Sequence, residues 1–456
     1  MGDLLRKITI NKFKGFGEIQ SISFAVPNGQ PGSGLTITVG ENNTGKSSVQ
    51  DAIKKLEPRA RFFKKERFKG NSPEIDLTDK NGDVKKITKG KKATVCISGN
   101  NLIDISNFEF ISSRRHWQHS FSSGNISTYS SYLSQMAIVR NKDSVDAYLG
   151  SLLETIVDDS NMKNEFDSMM KFLTPNFLDW HIDTDDAGND YVEYKVTDGM
   201  SHDTSLVGDG IISLFRICAH LVSTNDDLIL SVDEPELSLS PTVQKRLSKI
   251  FSKKSSNKQI LINTHSPHFL NWNDISCGAM IYRTIKKKGR CEIKHLDTNK
   301  QSIQKILSGI DDWQKPHVLD YVAKEVFFAD RVLFLEGQED VGLIQKYIID
   351  NGVDINFEIF GYGAGGSSNI PYFLELSKDL GIKAAALFDQ GAPGLSDAKK
   401  FTEFKVKELG FPDIRTKNDK QGNVTKVGLF DYDGTINSQN KKVLSDILEE
   451  FTNFFN

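Results

Sequence analysis

The octet Gly40-Glu-Asn-Asn-Thr-Gly-Lys-Ser47 constrains this chain more than any other stretch. It follows a β-branched run, Leu35–Val39, and leads into a helical pattern from Ser48 to Leu56. A phosphate-binding P-loop needs that strand–loop–helix setting. Loop N–H groups and a helix N-terminus together turn positive partial charge toward an anion. The reading predicts ATP held by Gly40, Asn42, Asn43, Gly45, Lys46, Ser47 and Ser48. Lys46 would reach the outer phosphates, and the Ser47 hydroxyl would sit on Mg²⁺.

Two later apolar runs complete such a site. Leu228–Asp233 reads as a buried strand that delivers Asp233 to the Mg²⁺ shell and Glu234 to the attacking water. Gln259–Asn263 reads as a second strand, with His265 just beyond it to contact the γ-phosphate. Length sets the rest of the frame: 456 residues exceed one ordinary core, so two or three domains are expected. Lysine and arginine (57) nearly balance aspartate and glutamate (60), so any nucleic-acid surface must be local. Cys96, Cys218, Cys277 and Cys291 form no CxxC pair, which argues against zinc and against a disulfide framework. No apolar run reaches the roughly 18 residues of a membrane span, so the expectation is a soluble cytoplasmic protein with no membrane partner.

The order P-loop, Asp233-Glu234 strand, His265 strand resembles ABC-type ATPases of the branch shared with SMC-like proteins. In that family two heads sandwich ATP, and each lends a signature loop to the other. The resemblance implies that role for Ser205–Gly210, with Gly208 and Gly210 at the nucleotide, and implies a homodimer or higher oligomer through the heads. Gly15 and Phe16 also resemble that branch's N-terminal strand-turn and imply packing near the adenine side.

Between these motifs lie basic residues interleaved with aromatics: Arg59, Arg61, Lys64, Lys65, Arg67 and Lys69 with Phe62, Phe63 and Phe68, then Lys85–Lys92. They suit a DNA backbone with unstacked bases, or simply a solvated face. Gln118, in Arg114–Gln118, is a candidate for a Mg²⁺-sensing glutamine. Asp143–Leu173 carries apolar residues at helical spacing and predicts paired amphipathic helices, inserted as an arm or dimer contact. Asp179–Val196 predicts a hairpin around Ala187–Asn189, an acidic turn rather than a calcium loop.

Beyond Asp330, strands alternate with helices at the pitch of a small parallel α/β sheet. Acids at its strand ends would converge on one edge and hold a hard divalent cation, Mg²⁺ or Mn²⁺. The stretch Phe327–Gly337 and its surroundings resemble the Toprim domain of the OLD (overcoming lysogenisation defect) family, which joins an ABC ATPase to a Toprim nuclease. The match implies that Glu336 is first metal ligand or general base, Asp340 a supporting acid and Asp389 the first acid of a DxD pair. Gly391 stands where the second acid belongs, so Asp431 or Asp433 is expected to compensate. The family's late lysine falls to Lys426, Lys441 or Lys442.

The expected fold is therefore α/β: an ABC head over 1–140 and 176–315, a helical insertion over 141–175, and a Toprim-like domain over 316–456. The resemblance implies an ATP-regulated, Mg²⁺-dependent DNA endonuclease in anti-phage defence. A partner is implied as well, either a reverse transcriptase with its msDNA or a separate effector. The alternative is an ATPase sensor-scaffold whose Toprim unit has decayed, as in PARIS-type systems. A DNA-repair ATPase is a third reading.

Overall fold

A computed structural model describes residues 4–57, 60–99, 103, 105–113, 144–184, 190–197, 199, 201–203, 208–223, 229–308, 324–361 and 363–456. The chain forms two compact units, Met1–Ile293 and Lys294–Asn456.

In the first unit a six-stranded sheet runs in the order Arg290–His295, Met280–Lys287, Leu35–Val39, Gln259–Asn263, Ile229–Asp233, Phe108–Ile111. Leu35–Val39, Gln259–Asn263 and Ile229–Asp233 are buried along their whole length, the pattern of parallel strands covered on both faces. Their register sets Thr38 beside Asn263 and Asn263 beside Asp233. The ends of three strands therefore meet at one edge, beside the octet. A five-stranded antiparallel sheet, in the order Gln20–Ser23, Leu5–Asn11, Glu74–Asp79, Val84–Lys89, Val95–Ser98, shares the core.

Of the basic residues, Lys85, Lys86 and Lys89 lie on strand Val84–Lys89 of that second sheet, whereas Lys64–Glu66 and Phe68–Gly70 form two short helical turns beside it, and the aromatics there divide. Phe62 is fully buried, edge-on to Phe13 at 6.0 Å, whereas Phe63 is 56% exposed. The paired helices are Ser144–Asp158 and Ser160–Leu173, with Asp159 capping the second through Asn161 N and Met162 N. Phe166 lies 4.9 Å from Trp180 and 5.2 Å from Phe215 on helix Asp209–Ser223. The pair is thus packed into its own unit through an aromatic cluster. Strands Phe177–Thr184 and Asp190–Val196 form the expected hairpin, whose turn lies outside the described residues.

The second unit holds four parallel strands in the order Glu358–Ile359, Arg331–Phe334, Lys383–Phe388, Lys405–Glu408. Strand Asp413–Arg415 then pairs in parallel with Gly428–Phe430, and between them rises a hairpin of Lys417–Asn418 and Val424–Lys426. Helix Ser438–Phe455 closes the core with Leu444, Ile447, Leu448, Phe451 and Phe455 at helical spacing. The unit opens upstream of the 315/316 boundary read from sequence. Helix Gln301–Ser308 packs on helix Ile370–Leu380, and Lys300 Nζ meets Asp379 Oδ1 at 2.5 Å. Among the described residues no helix is long and apolar enough to cross a membrane.

Candidate functional site

The octet folds into a loop that closes on the first helix, Lys46–Ile53. Gly45 precedes that helix at φ 110°, a conformation L side chains rarely adopt, and a Cβ there would sit 3.1 Å from the Phe16 ring. No side chain caps the helix, so its first N–H groups lack the acceptor a capping residue would provide. Lys46 Nζ donates to the carbonyls of Gly40 at 2.9 Å and Glu41 at 2.7 Å. Burial lowers its pKa to about 8, against the pull of Glu234 and Asp233. Asn42 and Asn43 are exposed, with Asn43 at φ 63°, and Ser48 is buried behind them.

The strand register brings the second half to this loop. Ser47 Oγ donates to Asp233 Oδ2 at 3.0 Å, and Asn263 Nδ2 donates to Asp233 Oδ1 at 3.0 Å. Glu234 follows at φ 49°, with Oε1 3.9 Å from His265 Nε2. That nitrogen is buried without a hydrogen-bond partner among the described residues, and burial pushes the imidazole pKa down, toward the neutral ring. Glu236 was not anticipated: its carboxylate accepts from His265 N at 2.6 Å and Thr264 Oγ1 at 2.8 Å, fixing the histidine loop. The only sequence signal was a third acid in Asp-Glu-Pro-Glu. Uncapped N–H groups, a hydroxyl on an aspartate and an orphaned imidazole nitrogen together fit Mg²⁺–ATP.

Gly208 and Asp209 are exposed where helix Asp209–Ser223 begins, and Gly210 packs on the Ser238 carbonyl. Ser205–Val207 and Gln118 lie outside the described residues. Phe16 is fully buried, and Gly15 sits against Cys291, whose N–H it accepts at 2.9 Å.

In the second unit a cleft of about 370 Å³ opens at the carboxyl ends of the parallel strands. Glu336, Glu339, Asp340, Asp389, Asp413 and Lys417 are among the residues that line it. Glu336 Oε1 accepts the Asp389 N–H at 2.8 Å, and Asp340 Oδ2 caps helix Gln338–Asn351 through Gly337 N at 2.9 Å. Burial raises the Glu336 pKa, and Asp413 adds to the rise. Asp340 is pushed up to about 6 and Asp389 to about 7, in each case by burial first and by the neighbouring carboxylates after it. These four acids offer hard oxygen donors of the kind a divalent cation takes, but among the described residues the side chains that bring three donor atoms within 4.8 Å of one another are His181, Asp183 and Glu193.

The compensating acid is not the one expected. Asp431 and Asp433 do not line the cleft; both are exposed, and Asp433 Oδ1 binds Thr435 N and Oγ1 in a local turn. The acid that lines the cleft from this part of the chain is Asp413, on the strand that pairs in parallel with Gly428–Phe430. Of the candidate lysines, Lys426 Nζ lies 3.6 Å from Asp413 Oδ2, while Lys441 and Lys442 sit exposed on the last helix.

The fold and these two sites define a P-loop ATPase head followed by a Toprim unit. Comparison with known proteins agrees. Residues 98–271 match a family of AAA domains whose description also names the AbiEii toxin and Type IV TA systems. Residues 327–390 match the overcoming lysogenization defect protein-like TOPRIM domain. The chain thus joins an AAA ATPase domain to an OLD-like TOPRIM domain. Endonuclease GajA of Bacillus cereus strain HuB5-5 is 25% identical over 240 residues, 46% of this chain and 35% of that protein. Endonuclease GajA of strain VD045 is 27% identical over 202 residues, 42% of this chain and 32% of that protein. The match spans about a third of those relatives' length. Among solved structures, the SMC head domain from Thermotoga maritima covers 65% of this chain and 100% of its own, at 15% identity and TM-score 0.39. An SMC head bound to the C-terminal winged helix of ScpA covers 66% and 99%, at 13% and 0.46.

Proposed function

We propose that the chain is an ATP-regulated, divalent-metal-dependent DNA endonuclease. The convergence of Glu336, Asp340, Asp389 and Asp413 in one cleft carries this reading. When bound there, Mg²⁺ or Mn²⁺ supplies charge neutralisation and water activation at a phosphodiester. Glu336, Asp389 and Asp413 would hold the cation, and Asp340 would fix the turn that presents Glu336. The raised pKa of Glu336 suits it to take a proton from the attacking water. In the head, Lys46, Ser47 and Asp233 would bind Mg²⁺–ATP, with Glu234 and His265 at the γ-phosphate. Two heads would close around nucleotide, Gly208 and Gly210 of one lying at the other's phosphates. The name of the relatives, endonuclease, and the OLD-like TOPRIM match support the chemistry. Anti-phage defence, with or without a separate partner, is the setting that the resemblance favours.

The test is nicking of supercoiled plasmid with Mg²⁺ or Mn²⁺, with and without ATP. Loss of nicking in Glu336→Ala is expected; undiminished nicking by that variant defeats the proposal. One observation favours the sensor-scaffold alternative: Gly391 offers no side chain, and its N–H is bound by Glu408 Oε1 at 2.7 Å. ATP hydrolysis without nicking in either metal would select that alternative.

A further inference from the structure

The cleft has to receive a polyanion, yet five carboxylates, those of Glu336, Glu339, Asp340, Asp389 and Asp413, line it. Attraction must come from the rim. Strand Asp413–Arg415 runs into the hairpin, where Lys417 stands directly across the ladder from Lys426. Like charges at opposed positions weaken a hairpin unless an anion lies between them. Here Asp413 does, with its two oxygens 3.6 Å from Lys417 Nζ and 3.6 Å from Lys426 Nζ. Lys420 is exposed at the turn, and Asp419, the one acid of the hairpin, accepts from Gln421 N and Asn423 N, bonds that favour its charged form. Lys417 also pairs with Glu339, so Arg415, Lys417, Lys420 and Lys426 exceed Asp413, Asp419 and Glu339 by one charge, and the exposed Lys420 is the cation of the lip with no acid beside it in an ion pair among the described residues.

Beside it stands an aromatic ring. Tyr432 is 57% exposed, with the Arg415 guanidinium 5.5 Å from its ring centroid and donating to its carbonyl at 2.8 Å. Arg415 also pairs with Glu339, which lines the cleft, so Tyr432 lies one side chain from the edge. Cations that track phosphates, next to a ring that can stack on a base, form the recognition surface of single strands. A duplex hides its base faces within the stack and gains nothing from such a ring.

We infer that Lys417, Lys420, Lys426 and Tyr432 hold an unpaired DNA strand at the cleft edge, which makes single-stranded or locally opened DNA the substrate class. This rests on the nuclease reading of the cleft. The lysines draw the strand in, Tyr432 stacks on one base, and the adjoining phosphodiester falls toward Glu336 and Asp389.

Fluorescence anisotropy of a labelled oligothymidylate, with full-length Glu336→Gln protein in Mg²⁺, tests this directly. Adding Tyr432→Ala should weaken binding about tenfold, while Tyr432→Phe preserves it. Lys420→Ala should lower the slope of log affinity against log salt by roughly 0.7, the loss of one phosphate contact on a single strand. Competition by duplex as effective as by single strand, or full affinity in a folded Tyr432→Ala protein, overturns the inference. The two readings fail separately. Tyr432-dependent binding without any cleavage by native protein sinks the nuclease and leaves the lip. Glu336-dependent cutting indifferent to Tyr432 and the lysines sinks the lip and leaves the nuclease.

Discussion

Asp389 and Asp340 hold their protons well above the ordinary carboxylate range, to about 7 and about 6. Below about pH 4 folded and unfolded chains are both protonated at these groups, so the crowding costs nothing. As pH rises, the unfolded chain releases its protons first, and the metal-free protein loses stability until the folded groups also ionise. A cation that binds the ionised cluster should reverse that loss. The rise in melting temperature on adding Mg²⁺ should therefore be larger at pH 8 than at pH 6, and Asp389→Asn should flatten the difference; equal rises in native protein contradict the account. Asp413 is the second test at this scale. Asp413→Asn should abolish plasmid nicking, while Asp431→Asn should nick normally. The sequence pointed to Asp431 because a visible apolar run precedes it. Asp413 follows no such run; it sits on a three-residue strand after Pro412, and only its non-local pairing with Gly428 aims it at the cleft. The TOPRIM match, which ends at residue 390, stops short of it.

At the scale of elements, legibility followed locality. The octet, the strands ending in Asp233 and Asn263, and the strand Arg331–Phe334 that leads to Glu336 are contiguous runs bounded by turn residues. What the pattern could not show is how one turn supports another. The glycine-rich segment at 363–366 wraps the chain just past strand Arg331–Phe334: Ala364 N donates to Leu335 O and Gly366 N to Glu336 O, both at 2.8 Å. Gly363 sits at φ 75°, and a Cβ there would lie 2.7 Å from the Gly337 backbone. Gly363→Ala must therefore strain one turn or push Glu336 out of line, a cost of about 1–3 kcal/mol. Urea denaturation should register that loss, and nicking should fall further than stability does. A variant as stable and active as native protein would show that the turn yields freely.

Across the whole molecule, each unit has its own apolar core, one gathered around the two sheets of the head and one around the last helix. Separate cores permit separate unfolding, so calorimetry should resolve two transitions. A ligand that binds only folded protein stabilises its own unit by about 2.7 kcal/mol at a hundredfold excess over its Kd. Mg²⁺ alone should raise the transition of the unit that holds Glu336, and a non-hydrolysable ATP analogue should raise that of the unit that holds Lys46. Regulation adds a stricter demand. If nucleotide governs cleavage through metal affinity, linkage requires that each ligand change the other's effect by the same coupling free energy. The Mg²⁺-induced rise of the second transition should then differ with and without the analogue, and Lys46→Ala should erase that difference while leaving the rise itself. Additive shifts in native protein would mean that any control by ATP acts on the cutting step or on assembly, not on the metal.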